Sequence, residues 1–238
     1  MSSAPAPLAV ESARLDEPRP STSAIETVHE ALRDQIIAGE IPAGERLHVA
    51  RLREEFGVGT STVREALSRL LNDALVTSEA QRGFRVVPMS LKDFRDITEA
   101  RRVIETTAVR TSLEQRDDEW EATLVAAYHR LTRVEDRLIG DGDTSLVRRW
   151  HECNAGFHDA LVANCSNAWL VRFRHTLHLQ SHRYHLYALQ RRLERRDVRI
   201  EHKGIFEAAM AGDVEACVAR TSEHVERTLA TMLPVLSD

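Results

Sequence analysis

Turn formers and aromatics are scarce in this chain of 238 residues, which has ten Gly, seven Pro and 5% aromatic residues. That scarcity argues against a turn-rich fold and for a mostly helical one. Lysine is nearly missing too. It occurs only at 92 and 203, so almost every cation is Arg, which reads as nucleotide composition of the source genome. The three cysteines, at 153, 165 and 217, form no CxxC and no even framework. They fit a reducing cytoplasm rather than a disulfide scaffold. No apolar run approaches the roughly 18 residues that a membrane helix needs. There is no cation before Arg14 and no apolar segment behind it, so no secretory signal is expected. The net charge of −5 gives no basic signature for nucleic acid, and any DNA contact must come from local patterning.

What is present is a 42% hydrophobic fraction, enough for a real core in one large or two small domains. Residues 1–22 hold four prolines among small polar residues and read as a disordered arm, either a solvated tail or an arm touching DNA. Order is expected from Ser23. Ile25, Val28, Leu32 and Ile36 recur at helical spacing, and Gly39 is a stop signal. A short helix is expected around 48–56. After Gly57 come a tight turn, a Ser/Thr cluster that can cap, and a helix whose apolar face is Val63, Leu67, Leu70 and Leu71. Leu75–Val76 and Phe84–Val87 look like two short strands around a polar turn, closed by Pro88. From Ser90 onward the period is helical throughout. "SLKD" resembles a capping box, and helices are expected near 90–115, 117–139, 144–165, 167–190, 194–211 and 213–233. Gly212 and Asp213 mark the last break. The fold class is therefore mainly α: an N-terminal winged helix-turn-helix at 23–89 and a C-terminal all-α bundle of about six helices at 90–238.

Helix, turn, helix and a ribbon with Gly at its tip make a DNA-reading layout, because the second helix fits a major groove about 12 Å wide. Its first residues lie nearest the base edges: Thr60, Ser61, Thr62 and Arg64. Arg82 and Gly83 sit at the wing tip, where a cation can enter the minor groove. Residues 23–88 hold eight Arg against ten Asp and Glu, but five of those acids lie at or before position 45. Arg51, Arg53, Arg64, Arg82 and Arg85 fall on the expected DNA side, and Arg69 is counted with them. A winged helix used for protein contact is the alternative.

The stretches "IIAGEIPAGERL", "LREEFGVGTSTVREALSRL" and "RGFRVVP" resemble the N-terminal domain of GntR-family transcription regulators. The resemblance covers about residues 24–88. It implies binding to double-stranded operator DNA. The chain departs from the family at Thr60, where Arg is usual, at Val49, where Glu is usual, and at Ala74, where Gly is usual.

A second constellation lies in the helical part. Val147, Trp150, Asn154, His158 and Leu161 share one face, and His202 sits in a similar apolar stripe with Val198, Ile205 and Ala209. His202 is ten residues before Gly212 and His224 twelve after it. In an antiparallel hairpin they lie roughly 15 and 18 Å from the break, so they come level. Asn154 and His158 would complete a four-ligand N/O set suited to Zn²⁺, Ni²⁺ or Mn²⁺. Ordinary core histidines are the alternative. His175, His178, His182 and His185 form a rival row on one helix, read as a polar cavity wall, an exposed face or a metal-bridging pair. Arg101 shares a stripe with Phe94, Ile97, Ile104 and Ala108 and points inward, to pair with Glu105 or to grip a carboxylate.

The stretches "EARRVIETTAVR", "NAGFHDALVANCSN", "EHKGIFEAAMAGDVEA" and "TSEHVERTL" resemble the effector domain (FCD) of the FadR-type subgroup. That resemblance implies one divalent ion held at Asn154, His158, His202 and His224, with Asn154 where Asp is usual. It implies Arg101 as an effector-binding residue. The whole reads as a transcription regulator, a repressor acting as a homodimer, cytoplasmic and nucleoid-associated, and relieved by a small carboxylate. A metal sensor is one alternative. A metal-dependent hydrolase is another, although Glu152 and Asp159 would point off the site's face.

Overall fold

The computed structural model describes residues 23–79, 83–140, 143–190 and 197–236. The expected arm at 1–22 lies outside them, as do Arg82 and the first residues of the helix expected from 194. The N-terminal unit runs α1 (Ala24–Ile37), β1 (Arg46–Leu47), α2 (Val49–Phe56), α3 (Thr60–Asn72), β2 (Val76–Glu79) and β3 (Gly83–Val86). Ser23 caps α1 by accepting from the Glu26 amide at 3.2 Å. The buried face of α1 (Val28, Leu32, Ile36) packs on Val63, Leu67 and Leu70 of α3. The expected two-stranded ribbon is in fact three strands in the order β1-β3-β2, all antiparallel. β1 is two residues long, too short to show a period, and it exists because Leu47 pairs with Phe84 and Arg46 with Arg85. Arg85 also donates to the Gly44 carbonyl, so it serves the wing's interior as well as its surface.

The C-cap of α3 carries strain. Asp73 is the last turn's cap, Ala74 follows at φ 56, and the Leu75 amide reaches the Leu70 carbonyl at 3.0 Å. This is a Schellman ending, with fully buried Leu70 and Leu75 as its apolar contact. The left-handed conformation costs a residue with a Cβ about 1–2 kcal/mol, while Gly loses more chain entropy on folding. Ala74→Gly is therefore expected to stabilise the protein by about 1 kcal/mol. A urea midpoint at or below that of the wild type would show that the turn is unstrained.

The C-terminal bundle runs α4 (Leu91–Glu114), α5 (Asp118–Glu135), α6 (Val147–Leu161), α7 (Ala168–Gln190), α8 (Arg199–Met210) and α9 (Val214–Leu236). A π-turn at Asp136–Gly140 extends α5, and a 3₁₀ turn at Thr144–Leu146 precedes α6. The core is Val109, Leu113, Trp120, Leu124, Leu131, Phe157, Leu161, Ile205 and Cys217. The α8–α9 break forms as expected: Gly212 takes φ 68 and Asp213 caps α9 by accepting from the Ala216 amide at 2.9 Å.

The capping box at Ser90 is only half made. Ser90 Oγ accepts from the Asp93 amide at 3.1 Å, but the reciprocal bond is replaced by Tyr184 of α7. The Ser90 amide donates to Tyr184 Oη at 3.1 Å, and that hydroxyl donates to Asp93 Oδ2 at 2.6 Å. α7 thus grips the junction between the two units. It also reaches the winged helix directly: Gln180 donates to the Asp73 carbonyl at 3.0 Å and Arg183 to the Val87 carbonyl at 2.7 Å. Leu179 and Leu186 pack against the winged-helix core.

Candidate metal centre and effector pocket

Three helices meet around a buried point. α6 supplies Asn154 and His158, one turn apart on one face; α8 supplies His202 and α9 supplies His224. The imidazole centroids lie 5.5 Å (His158–His202), 5.1 Å (His158–His224) and 4.9 Å (His202–His224) apart. One nitrogen of each ring lies within 4.8 Å of the other two. Phe157 closes the apolar side, with its ring 5.2 Å from His158 and 5.5 Å from His202.

Two carboxylates stand behind these rings. Glu135 Oε1 lies 2.7 Å from His202 Nδ1, and Glu201 Oε2 lies 2.9 Å from His224 Nδ1. An ionised carboxylate only accepts, so each Nδ1 donates a proton to it. Carboxylate–histidine pairs of this kind orient metal-ligating rings. His202 Nε2, His158 Nε2 and Asn154 Oδ1 are all buried with no hydrogen-bond partner among the described residues. Burial, then the neighbouring His224 and His202, holds the His158 imidazole well below its ordinary pKa, which leaves it neutral and able to donate a lone pair. Buried polar atoms without partners are costly, so two such ring nitrogens within the histidine cluster, with the Asn154 oxygen on the same helix as His158, fit a divalent cation that would take their lone pairs.

Above the centre, Arg101 of α4 is 4% exposed, as its stripe requires. Its Nε donates to Glu105 Oε1 and its Nη1 to Ser181 Oγ, both at 2.7 Å. Arg101 is thus paired with Glu105, and it also borders the pocket. The rival histidine row divides. His178, His182 and His185 line the pocket, while His175 is exposed and borders a 460 Å³ cleft beside Asn72 and Asp73. His151, three residues before Asn154, joins the pocket wall with its ring 4.2 Å from that of His182. The free space inside is about 20 Å³, little more than one water. Asp159 and Glu152, as expected, turn away; they bind Arg174 at 2.6 Å and Arg149 at 2.8 Å.

Sequence reading missed Glu135, Glu201 and His151. Glu135 had a signal: it continues the apolar row Leu124, Ala127 (or Tyr128) and Leu131 on α5 and is fully buried. His151 shares the face of Asn154 and His158 at i, i+3 and i+7. Glu201 lies off the His202 stripe and had no such signal.

On the winged helix, Gly59 is the N-cap of α3 and makes no side-chain cap bond. The Ser/Thr cluster therefore does not cap; Thr60, Ser61 and Thr62 lie within the first turn, Thr60 and Ser61 exposed. Arg64 and Arg51 are exposed. Arg69 lies in the last turn of α3, 3.9 Å from Glu65. Gly83 opens β3 at φ 83 and is exposed, while Arg82 lies outside the described residues.

Residues 24–86 match the family described as bacterial regulatory proteins, gntR family, and residues 96–227 match the FCD domain. The chain belongs to the GntR family. Among GntR relatives, the HTH-type transcriptional regulator BphR of Paraburkholderia xenovorans (strain LB400) is 39% identical over 88% of this chain and 85% of its own length. The HTH-type transcriptional repressor GlaR of Escherichia coli (strain K12) is 31% identical over 86% of this chain and 92% of its own. The solved structure of E. coli McbR/YncC has the same fold, with a TM-score of 0.71 at 21% identity, covering 90% of this chain and 98% of that one. This GntR chain is thus a DNA-binding transcriptional regulator, and the hydrolase alternative falls, since its families and relatives are regulators. No described helix is long and apolar enough to cross a membrane.

Proposed function

We propose that this regulator is a homodimeric, cytoplasmic, nucleoid-associated repressor whose pocket holds a divalent ion and a small carboxylate effector. Residues 23–89 read the operator and residues 90–238 bind effector and dimerise. The observation that carries the metal is the set of buried, unpartnered donors His158 Nε2, His202 Nε2 and Asn154 Oδ1, beside His224 and backed by Glu135 and Glu201. A bound Zn²⁺, Ni²⁺ or Mn²⁺ supplies a Lewis acid for one carboxylate. On the DNA side, the uncapped first turn of α3 leaves amides free for phosphate, flanked by Thr60, Ser61, Thr62 and Arg64. Arg51, Arg69, Arg82 and Gly83 complete the reading surface.

α7 couples the two ends. One face presents His178, Ser181, His182 and His185 to the pocket, and the other holds the winged helix through Leu179, Gln180, Arg183 and Leu186. An organic acid does not fit the free space of about 20 Å³, so its entry displaces this wall and shifts the population of winged-helix arrangements. In a dimer that changes half-site spacing and releases a pseudo-palindromic operator.

Metal analysis after supplementation and desalting is expected to find about one ion per chain, and His202→Ala almost none. Below about one-tenth of an equivalent in the wild type, the metal reading fails. In a gel shift on the gene's own upstream DNA, retardation at low salt is expected, relieved by a carboxylate. No retardation would remove the operator reading. The same small cavity supports a second reading, a sensor in which the ion itself is the signal. Chelation that changes DNA affinity with no organic acid present decides for it.

A further inference from the structure

The pocket that His158 and His224 line also holds imidazoles with nothing to bind. His151 Nε2, His182 Nε2 and His185 Nε2 are buried, and none has a hydrogen-bond partner among the described residues. His151 and His182 are nearly in contact, with ring centroids 4.2 Å apart. The charges around them are already matched. Arg101 faces Glu105 at 2.7 Å, Glu135 faces His202 and Glu201 faces His224. Burial holds the rings of His151 and His185 well below the ordinary histidine pKa, and that of His182 at about 4. This wall therefore offers neutral N–H donors and bare ring nitrogens.

A second carboxylate buried here would meet neutral imidazoles, since Arg101 is taken by Glu105 and Arg183 turns to the Val87 carbonyl of the winged helix, and would be strongly disfavoured. A hydroxyl donates and accepts, so it satisfies either tautomer of a neutral imidazole. A carbonyl or amide does so in part. Resting on the effector-pocket reading above, we infer that the effector carries one carboxylate, bound at the metal end, and an uncharged hydroxyl, carbonyl or amide at its far end, held by His151, His182 and His185. Dicarboxylates are excluded by the same wall.

Isothermal titration of the full chain, supplemented with divalent ion, tests this with three matched series of four to six carbons. These are the plain acids (pentanoate), the terminal hydroxy acids (5-hydroxypentanoate) and the diacids (glutarate). At the best length the hydroxy acid is expected to bind about tenfold tighter than the plain acid, the size of one well-made hydrogen bond, with the diacid weakest. His182→Leu and His151→Leu should erase the hydroxyl's advantage over the plain acid of the same length. The wild-type ranking stands as a test even if those variants fold poorly. A diacid that binds tightest, or a hydroxyl without advantage at every length, overturns the inference and leaves the effector site standing. If no acid of any series binds, the effector-site reading falls and the inference with it.

Discussion

Arg101→Ala is expected to cost about 3–5 kcal/mol of folding stability. Arg101 and Glu105 are both buried, their side chains 5% and 2% exposed, and they pair at 2.7 Å. Removing the guanidinium leaves the Glu105 carboxylate without its cation, and Ser181 loses a donor as well. The cost is that of the orphaned charge rather than the net worth of the pair. A second variant separates these two quantities. Arg101→Met combined with Glu105→Leu fills the space with apolar atoms and is expected to recover most of the loss. Neither variant is expected to respond to effector, because the pocket has lost a bordering polar group in both. Urea denaturation of the two proteins checks the stability claim. A single variant within about 1 kcal/mol of the wild type would mean that water reaches the pair and screens it.

The stripe that made Arg101 visible explains what else could be read from the chain. A residue whose position follows from helical period alone was legible, and so Asn154, His158 and His202 were assigned to buried faces. His224 came from adding one more fact, the break at Gly212, which places two helices level. Partners that arrive from a third helix were not legible. Glu201 sits beside His202 in sequence but off its stripe, and only the α8–α9 packing turns it toward His224 at 2.9 Å. Glu135 could have been suspected, as an acid in an apolar row, but its ring partner lies 67 residues away.

The winged helix shows the same division. The apolar faces of α1 and α3 were set by period, whereas β1 is two residues whose only reason to be extended is β3. The half-made capping box at Ser90 has the same origin. Local sequence supplies Ser90 and Asp93, and tertiary packing brings Tyr184 between them. Nor does α7 betray its double task in its sequence. Its histidines are spaced along one face, but that this face looks into a pocket while Gln180 and Arg183 hold the winged helix follows only from α7 lying between the two units.

Glu135 is where this hidden layer has its largest consequence for function. Glu135→Gln is expected to weaken divalent-metal binding by about tenfold and Glu135→Ala by about a hundredfold, the range found when the group behind a ligating histidine is removed. The two changes act differently. Glutamine keeps an oxygen for His202 Nδ1 and for Trp150 Nε1, which Glu135 Oε1 meets at 2.7 and 3.2 Å. It removes only the charge that raises the ring's basicity at Nε2. Alanine removes the oxygen too, so the His202 ring loses its orientation and both donors are left buried without an acceptor. The order wild type, Gln, Ala therefore separates charge from positioning. Competition for the bound ion against a chelator of known affinity measures it, with circular dichroism confirming that each variant is folded. A Gln variant that holds metal within about twofold of the wild type would show that the charge of Glu135 contributes nothing at His202. Equal losses in both variants would assign the effect to charge alone.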